Sequence, residues 1–300
     1  MPASVAARPS LKADALLLSV TLMAAAGWIF SKEALEGLPP LLFIGTRFLL
    51  AALLLGAVGW RSMLALDAGQ WRQSCAVGGL FIGAITLWVL GVDASRHLGE
   101  SAFINSLWIL MVPFMARFLF GDRPSPATWL ALPVAILGFA CLSLNNGFRV
   151  EPSQWLFLTS ATLFALLFNV NSQVVKRVPP LPFTIIQMMV LGIGMTLMSA
   201  LSEPWPSAVT SPTLGWLLAS VIIASVMRFW VQLYAQRLTS SSNGAVIMML
   251  EAIWTALLAA LWFGETMSPL QWLGCALIFT ALLINRWHWI RRLWHKRPAI

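Results

Sequence analysis

Three charged side chains in this sequence lie inside long apolar runs, where a charge has a chemical or a structural task. Arg47 stands about seven residues into its run, Glu251 a similar distance into another, and Arg228 nearer the end of a third. A charge surrounded by hydrocarbon costs several kcal/mol unless it faces a cavity or a partner. Arg47 could attract a carboxylate or phosphate of a bound solute, or it could join two helices through buried contacts.

Glu251 also has two interpretations. Its carboxylate could bind and release a proton or another cation, or it could clamp two helices together by pairing with Arg228. A carboxylate that gains and loses a proton can couple proton movement to another process, whereas a permanent ion pair does not. The sequence leaves both alternatives open.

Polar and aromatic side chains form two related stripes. Asn105 and Trp108 are three residues apart and share a helix face. A shift of 143 residues places Trp108 on Glu251 and Met111 on Trp254. If one stripe lines a cavity, its counterpart should do so as well. Further cavity candidates within apolar runs are Trp28, Asn169 and Gln187.

The composition of the chain indicates which class of protein contains these residues. Of 300 residues, 59% are apolar and 10% are charged, against about 25% charged in ordinary globular chains. This excludes a disordered chain, a secreted disulfide scaffold and a typical cytosolic enzyme. The spacing of Cys75, Cys141 and Cys275 matches no metal site, and we expect neither a metal nor a cofactor.

Apolar runs recur along the whole chain at a length that crosses a bilayer. They are continuously apolar rather than alternating, which indicates helices and not barrel strands. The sequence therefore predicts an all-α integral membrane protein with ten transmembrane helices. The runs are 13–30, 41–60, 75–92, 102–120, 129–144, 155–175, 183–201, 214–235, 245–263 and 273–289.

The second half of the chain repeats the first. A shift of 140 residues places Pro39-Pro40-Leu41 on Pro179-Pro180-Leu181, and a shift of 143 places Gly121-Asp122 on Gly264-Glu265. Each repeat contains five predicted helices, and because five is odd, the second copy enters from the opposite side. We therefore predict two inverted repeats, 13–145 and 152–289, followed by a basic cytoplasmic tail, 290–300. Secondary transporters often have this construction, with a site between the repeats.

Basic residues orient the predicted bundle. If both termini are cytoplasmic, the inner segments hold fourteen Lys and Arg residues and the outer segments hold Lys32, Arg96 and Arg149. This is a strong positive-inside bias. The net charge of +8 is therefore expected to orient the chain and contact anionic lipids rather than nucleic acid.

Two motifs resemble those of a known family. The segment from Pro39 to Phe48 resembles the start of the second helix in the EamA-type drug/metabolite transporters. Leu250-Glu251, followed by the segment from Gly264 to Gly274, resembles their closing motif, although Ala252 replaces the usual Pro. The resemblance covers about residues 13 to 289. It implies two EamA repeats, inner-membrane location and movement of small organic solutes, commonly export of amino acids and related metabolites.

The favoured hypothesis is therefore a secondary transporter that exports a small metabolite by alternating access. A Gly-rich phosphate-binding loop with Lys is absent from the sequence, which disfavours ATP as the direct energy source. A membrane channel or sensor is a weaker alternative because the sequence lacks charged rings and Arg-rich voltage-sensor spacing. An intramembrane enzyme is weaker still, because neither His-Glu-x-x-His nor Gly-x-Ser-x-Gly occurs.

Overall fold

The computed structural model describes residues 11–121, 126–144, 151–238 and 247–285, and the regular secondary structure in these ranges is helical. The predicted tail, 290–300, lies outside them. A π-helical turn, Ile222–Met227, separates α9 from α10. The helices are α1 Leu11–Leu35, α2 Pro40–Leu64, α3 Ala68–Ala94, α4 Leu98–Ser106, α5 Trp108–Phe120, α6 Pro126–Leu144, α7 Pro152–Val174, α8 Pro180–Ser202, α9 Ser211–Val221, α10 Arg228–Leu238, α11 Leu250–Phe263 and α12 Pro269–Asn285.

The repeated sequence motifs mark corresponding helix ends. In α2 and α8, an extended Pro (Pro39 or Pro179) precedes a Pro at the first helical position, where the missing N–H costs nothing. Helices α5 and α11 each end at a glycine in the left-handed conformation, Gly121 at φ 75° and Gly264 at φ 64°. Glycine adopts this conformation without strain. The two Gly-acid motifs are therefore helix ends followed by an acidic residue.

The helices have the length and composition of a membrane protein. Within the described ranges, seven helical segments are long and apolar enough to cross a bilayer, and three shorter apolar helices accompany them. All ten predicted runs contain helix. That the three shorter helices also cross the membrane, which would give ten spans, stays a prediction. Large apolar side chains face outward along the bundle, as expected of a lipid-facing surface. Examples are Leu53, Leu64, Phe118, Leu201 and Leu261.

Helices from the two halves pack against each other throughout the bundle. The most extensive contacts join α2 to α8, α6 to α12 and α3 to α7. A Cβ on Gly138 would lie 2.8 Å from the carbonyl oxygen of Gly274, and one on Gly274 would lie 2.8 Å from that of Gly138. Only glycine permits this approach, as is common where membrane helices meet.

Three of the predicted runs are interrupted near the centre of the bundle, and one of them, 245–263, has a turn at Met249 just before α11. The run 102–120 is divided at Leu107 into α4 and α5, and the run 214–235 contains the π turn. Pro113 lies within α5 and removes a further backbone donor. Irregular backbone at membrane depth is tolerated where it is buried in protein or lines a cavity. These interruptions therefore point to the functional centre.

Candidate functional site

A cavity of about 250 Å³ lies at the centre of the bundle, next to these helix interruptions. Its walls come from α1, α2, α3, α4, α5, α7, the π turn, α10, α11 and the residues just before α11. Large aromatic rings form much of the apolar wall: Trp28, Phe48, Phe81, Trp88, Trp108 and Phe164. The polar and charged wall residues are Arg47, Asn105, Ser106, Ser225, Arg228 and Glu251.

Most of the residues singled out in the sequence meet at this cavity. Six of them lie on its wall, whereas Asn169, Gln187 and Trp254 do not. The six are Trp28, Arg47, Asn105, Trp108, Arg228 and Glu251. The two stripes enter the cavity only partly, because their last members, Met111 and Trp254, lie outside its lining.

Asn169 and Gln187 are not among the residues that line this cavity, and the NH₂ group of each donates a hydrogen bond to a neighbouring helix. Asn169 Nδ2 donates to the carbonyl oxygens of Val112, at 3.0 Å, and Ala165, at 2.9 Å. Gln187 Nε2 donates to Asn171 Oδ1 at 3.0 Å. These bonds connect α7 to α5 and α8 to α7. Both amides therefore contribute to packing at positions away from the cavity.

Arg47 is held by a set of contacts that uses all three guanidinium nitrogens. Nε donates to Ser225 Oγ at 2.9 Å, Nη1 to Ser31 Oγ at 3.1 Å and Nη2 to the Ala224 carbonyl oxygen at 3.5 Å. The guanidinium carbon also lies 5.4 Å from the ring centroid of Phe48, within cation–π range. Arg47 is only 6% exposed. It therefore connects α1 and α2 to the π turn.

The π turn supplies two of these contacts. Ser225 Oγ donates to the Ser220 carbonyl oxygen, five residues back, at 3.1 Å. A π turn contains an extra residue and is frequent at functional sites. Helix α1 approaches it closely at Gly27, where a Cβ would lie 2.7 Å from Ala224 Cβ. The sequence Ile222–Met227 gives no signal for this turn, which is the feature that sequence reasoning missed.

Arg228 and Glu251 form a looser pair across the cavity. Arg228 Nη2 lies 3.6 Å from Glu251 Oε2, and each side chain is 26% exposed. This distance exceeds the roughly 2.7–2.9 Å of a charge-assisted hydrogen bond. The other carboxylate oxygen, Oε1, accepts a hydrogen bond from Trp28 Nε1 at 3.2 Å. The pair joins α10 to α11 and leaves hydrogen-bonding capacity unused.

Two buried polar atoms on the wall have no hydrogen-bond partner among the described residues. They are Arg228 Nε, a donor, and Asn105 Oδ1, an acceptor. Most buried polar groups in proteins are satisfied, so an unsatisfied one requires a reason. Ligand sites combine apolar walls with a few polar groups that fix orientation. This cavity likewise combines an apolar wall with a few polar groups. The rings of Trp28 and Trp88, with centroids 5.0 Å apart, form part of the apolar wall.

Comparison with known proteins assigns the chain to a family. The model of the EamA-like transporter family matches it twice, over residues 11–144 and 152–287. The chain belongs to the EamA-like transporter family. This confirms the resemblance seen in the motifs and supports a membrane transporter rather than an enzyme.

Relatives of this EamA-like protein agree with the assignment. An uncharacterized transporter of Archaeoglobus fulgidus is 23% identical over 91% of this chain and 85% of its own length. The uncharacterized inner membrane transporter YedA of Escherichia coli K12 is 24% identical over 83% of this chain and 82% of its own. A crystal structure with a TM-score of 0.67 and 19% identity, covering 95% of this chain and 99% of that one, has the same fold.

Proposed function

We propose that this EamA-like protein is a secondary transporter that exports a small organic metabolite by alternating access. The observation that carries the proposal is the central cavity, whose wall holds the carboxylate of Glu251 and two polar atoms, Arg228 Nε and Asn105 Oδ1, that lack a hydrogen-bond partner among the described residues. A cavity between repeat units at mid-membrane is the usual site in such transporters. The family and the names of the relatives support the same general activity.

The proposed substrate carries a carboxylate, an amino group and an apolar body, as an amino acid or a related compound does. Among the described residues, the cavity wall holds two guanidinium groups and one carboxylate. Because Arg47 is occupied by Ser225, Ser31 and Ala224, Arg228 is the cation that binds the substrate carboxylate. Glu251 and Asn105 accept hydrogen bonds from the amino group. The apolar body packs against Trp108 and the neighbouring rings.

The proposed topology has ten spans in two inverted repeats, 13–145 and 152–289, and both termini lie on the cytoplasmic side of the inner membrane. The helix contacts support a two-fold relation between the repeats. By position in the repeats, α1 corresponds to α7, and α3 corresponds to α9 together with α10. Helix α1 contacts α9 and α10, and the equivalent contact, between α7 and α3, is also present. The reciprocal glycine contact of α6 and α12 also agrees.

The proposed direction and energy source follow from the same cavity. Arg228 and Glu251 are each a quarter exposed, and under the proposed topology they lie on the half of the cavity nearer the cytoplasm. We expect a solute to reach them from the cytoplasm, as export requires. Glu251 exchanges a proton during the cycle, so that the inward proton gradient drives the outward solute.

The first test is transport by the purified protein in proteoliposomes. A panel of labelled amino acids and related amphiphilic metabolites is offered with and without a pH gradient. We expect at least one zwitterion with an apolar side chain to be transported faster under the gradient. For variants of the cavity arginine Arg228, the matched control is Arg61→Gln, because Arg61 is exposed at the end of α2 and should have no role in binding. No transport of any panel member by protein of correct fold would contradict the proposal.

The topology is tested separately by fusing alkaline phosphatase and a fluorescent protein in turn to the C-terminus. We expect fluorescence without phosphatase activity, because phosphatase folds actively only outside the cytoplasm. High phosphatase activity without fluorescence would reverse the proposed orientation.

A further inference from the structure

We infer that Glu100 holds the cavity closed on its outer side, and that breaking its two amide contacts is required for the cavity to open outward. This inference rests on the proposed function, because it assigns a step of the transport cycle to a residue outside the cavity. Glu100 does not line the cavity and is not used by the proposed binding chemistry. We call Glu100, Gln154 and Gln271 the outer clamp.

The outer clamp joins three helices through a single buried carboxylate. Glu100, in the first turn of α4, is 6% exposed. One of its oxygens, Oε1, accepts a hydrogen bond from Gln154 Nε2 of α7. The other, Oε2, accepts from Gln271 Nε2 of α12 at 2.9 Å. Helix α4 belongs to the first repeat, whereas α7 and α12 belong to the second.

The orientation of both amides is fixed by the starts of their own helices. Gln154 Oε1 accepts from the backbone N–H of Glu151 at 3.1 Å, and Gln271 Oε1 accepts from that of Ser268 at 2.8 Å. Each glutamine thus presents its NH₂ group, which only donates, toward Glu100. Glu100 must accept on both oxygens, which an ionised carboxylate does and a neutral amide does not.

Helix dipoles also act on the carboxylate of Glu100. The N-terminal turns of α4, α7 and α12 converge on it, and the positive ends of helix dipoles favour an anion. The first N–H groups of α4 do not require Glu100, because Glu265 accepts from Leu98 N at 2.8 Å and from Gly99 N at 3.3 Å. Glu100 is therefore available to hold α4 against α7 and α12.

The position of the outer clamp relates it to the cavity. Ala102, one turn after Leu98 on α4, is on the cavity wall and is only 4% exposed. Helix α4, which the outer clamp holds against α7 and α12, therefore covers this part of the cavity. Exposing Ala102 to the outer side requires α4 to move away from α7 or α12.

The test measures accessibility from each side of the membrane. The reporters are Ala102→Cys and, separately, Met248→Cys, in a background with the three native cysteines replaced by Ala. A membrane-impermeant thiol reagent is applied to right-side-out or inside-out vesicles. In Glu100→Gln we expect outer labelling of position 102 to rise about tenfold and inner labelling of position 248 to fall, because the conformational equilibrium shifts outward. The control Glu36→Gln, an exposed carboxylate on the same side, should change neither.

This pair of reporters separates a closing role from a general loss of packing. A loosened protein labels faster from both sides, and that result would overturn the inference, as would unchanged outer labelling in folded Glu100→Gln. The double variant Glu100→Gln with Gln271→Glu recreates one amide–carboxylate contact with its polarity reversed. It should restore most of the slow outer labelling. If Glu100→Gln is not produced as folded protein, Gln271→Met breaks one contact and must shift labelling in the same direction.

The inference and the proposed function fail in different ways. Faster labelling from the inner side alone would keep the closing role of the outer clamp and reverse the proposed topology. A protein that transports nothing in the panel but shows the expected labelling shift would keep the clamp and refute the proposed transport activity. Active transport with unchanged labelling would keep the activity and overturn the clamp.

Discussion

Arg47 and Arg228 both lie on the cavity wall, yet their surroundings differ in kind. The guanidinium of Arg47 has a hydrogen-bond partner for each nitrogen, whereas Arg228 has one loose ion pair and a buried Nε without a partner among the described residues. A charge within the membrane therefore does not by itself identify a binding residue. Under the proposed function, unused hydrogen-bonding capacity on the cavity wall distinguishes Arg228, which binds the solute, from Arg47, which holds helices together.

The sharpest test of this comparison is Arg228→Gln. We expect the affinity for the best substrate of the panel to fall about 100-fold, because a buried charged contact to the solute is lost. Thermal stability in detergent should change little, since Arg228 has few contacts within the protein. Binding is measured by quenching of tryptophan fluorescence. A large fall in stability with unchanged affinity would exchange the roles of the two arginines.

Arg47→Met should have the complementary effect. Three hydrogen bonds to a charged group are lost while the stem retains its packing, so we expect the free energy of unfolding to fall by about 2 kcal/mol. Substrate affinity in the folded fraction should change less than about threefold, or under 0.7 kcal/mol. Thermal unfolding and fluorescence quenching on the same preparation give both quantities. Loss of binding without loss of stability would place the substrate on Arg47.

Glu251→Gln asks which interpretation of the carboxylate holds. Gln retains the shape of the side chain and its contact with Trp28 but cannot titrate. If Glu251 is the coupling residue, transport driven by the pH gradient should fall about tenfold while substrate exchange without a gradient continues. A transport rate that follows the pH gradient as in the wild type would leave Glu251 as a partner of Arg228 only. Asp67→Asn, at an exposed helix start, serves as the control.

The smallest effect concerns the surroundings of Arg47. Gly27→Ala places a methyl group 2.7 Å from Ala224 Cβ, so α1 or the π turn must shift. We expect a loss of about 1 kcal/mol in stability and partial recovery in the double variant with Ala224→Gly. Thermal unfolding of the four proteins in the cycle measures the coupling. Additive effects of the two substitutions would show that this contact is not close in solution.

Much of the helical architecture could be predicted because it depends on local chemistry. Runs of apolar residues, the paired prolines before α2 and α8, and the glycines after α5 and α11 act within a few residues of the chain. Arg47, Arg228 and Glu251 were identifiable because a charge in hydrocarbon requires a partner or a cavity. That inference needs only the position of each charge within an apolar run of the sequence.

The remaining features depend on how the helices are rotated and on which neighbours they meet. Asn169 and Gln187 are polar within apolar runs, but the amides are satisfied by α5 and α7 rather than facing the cavity. Glu100 stands just before the predicted run 102–120, where a carboxylate at an interface is unremarkable. Its partners come from distant helices. No local pattern predicts such a meeting.

The π turn has a consequence for insertions and deletions in this region. Because it holds one residue more than a regular helix would, all that follows is rotated by about 100° relative to an uninterrupted α-helix. Arg228 is the first residue of the helix that follows Ile222–Met227. Converting the turn to a regular α-helix at unchanged chain length would carry the guanidinium away from Glu251, whereas deleting one residue from the turn would remove the bulge and leave Arg228 facing Glu251. In this stretch the winding of the chain, as much as its composition, decides which way the cation points.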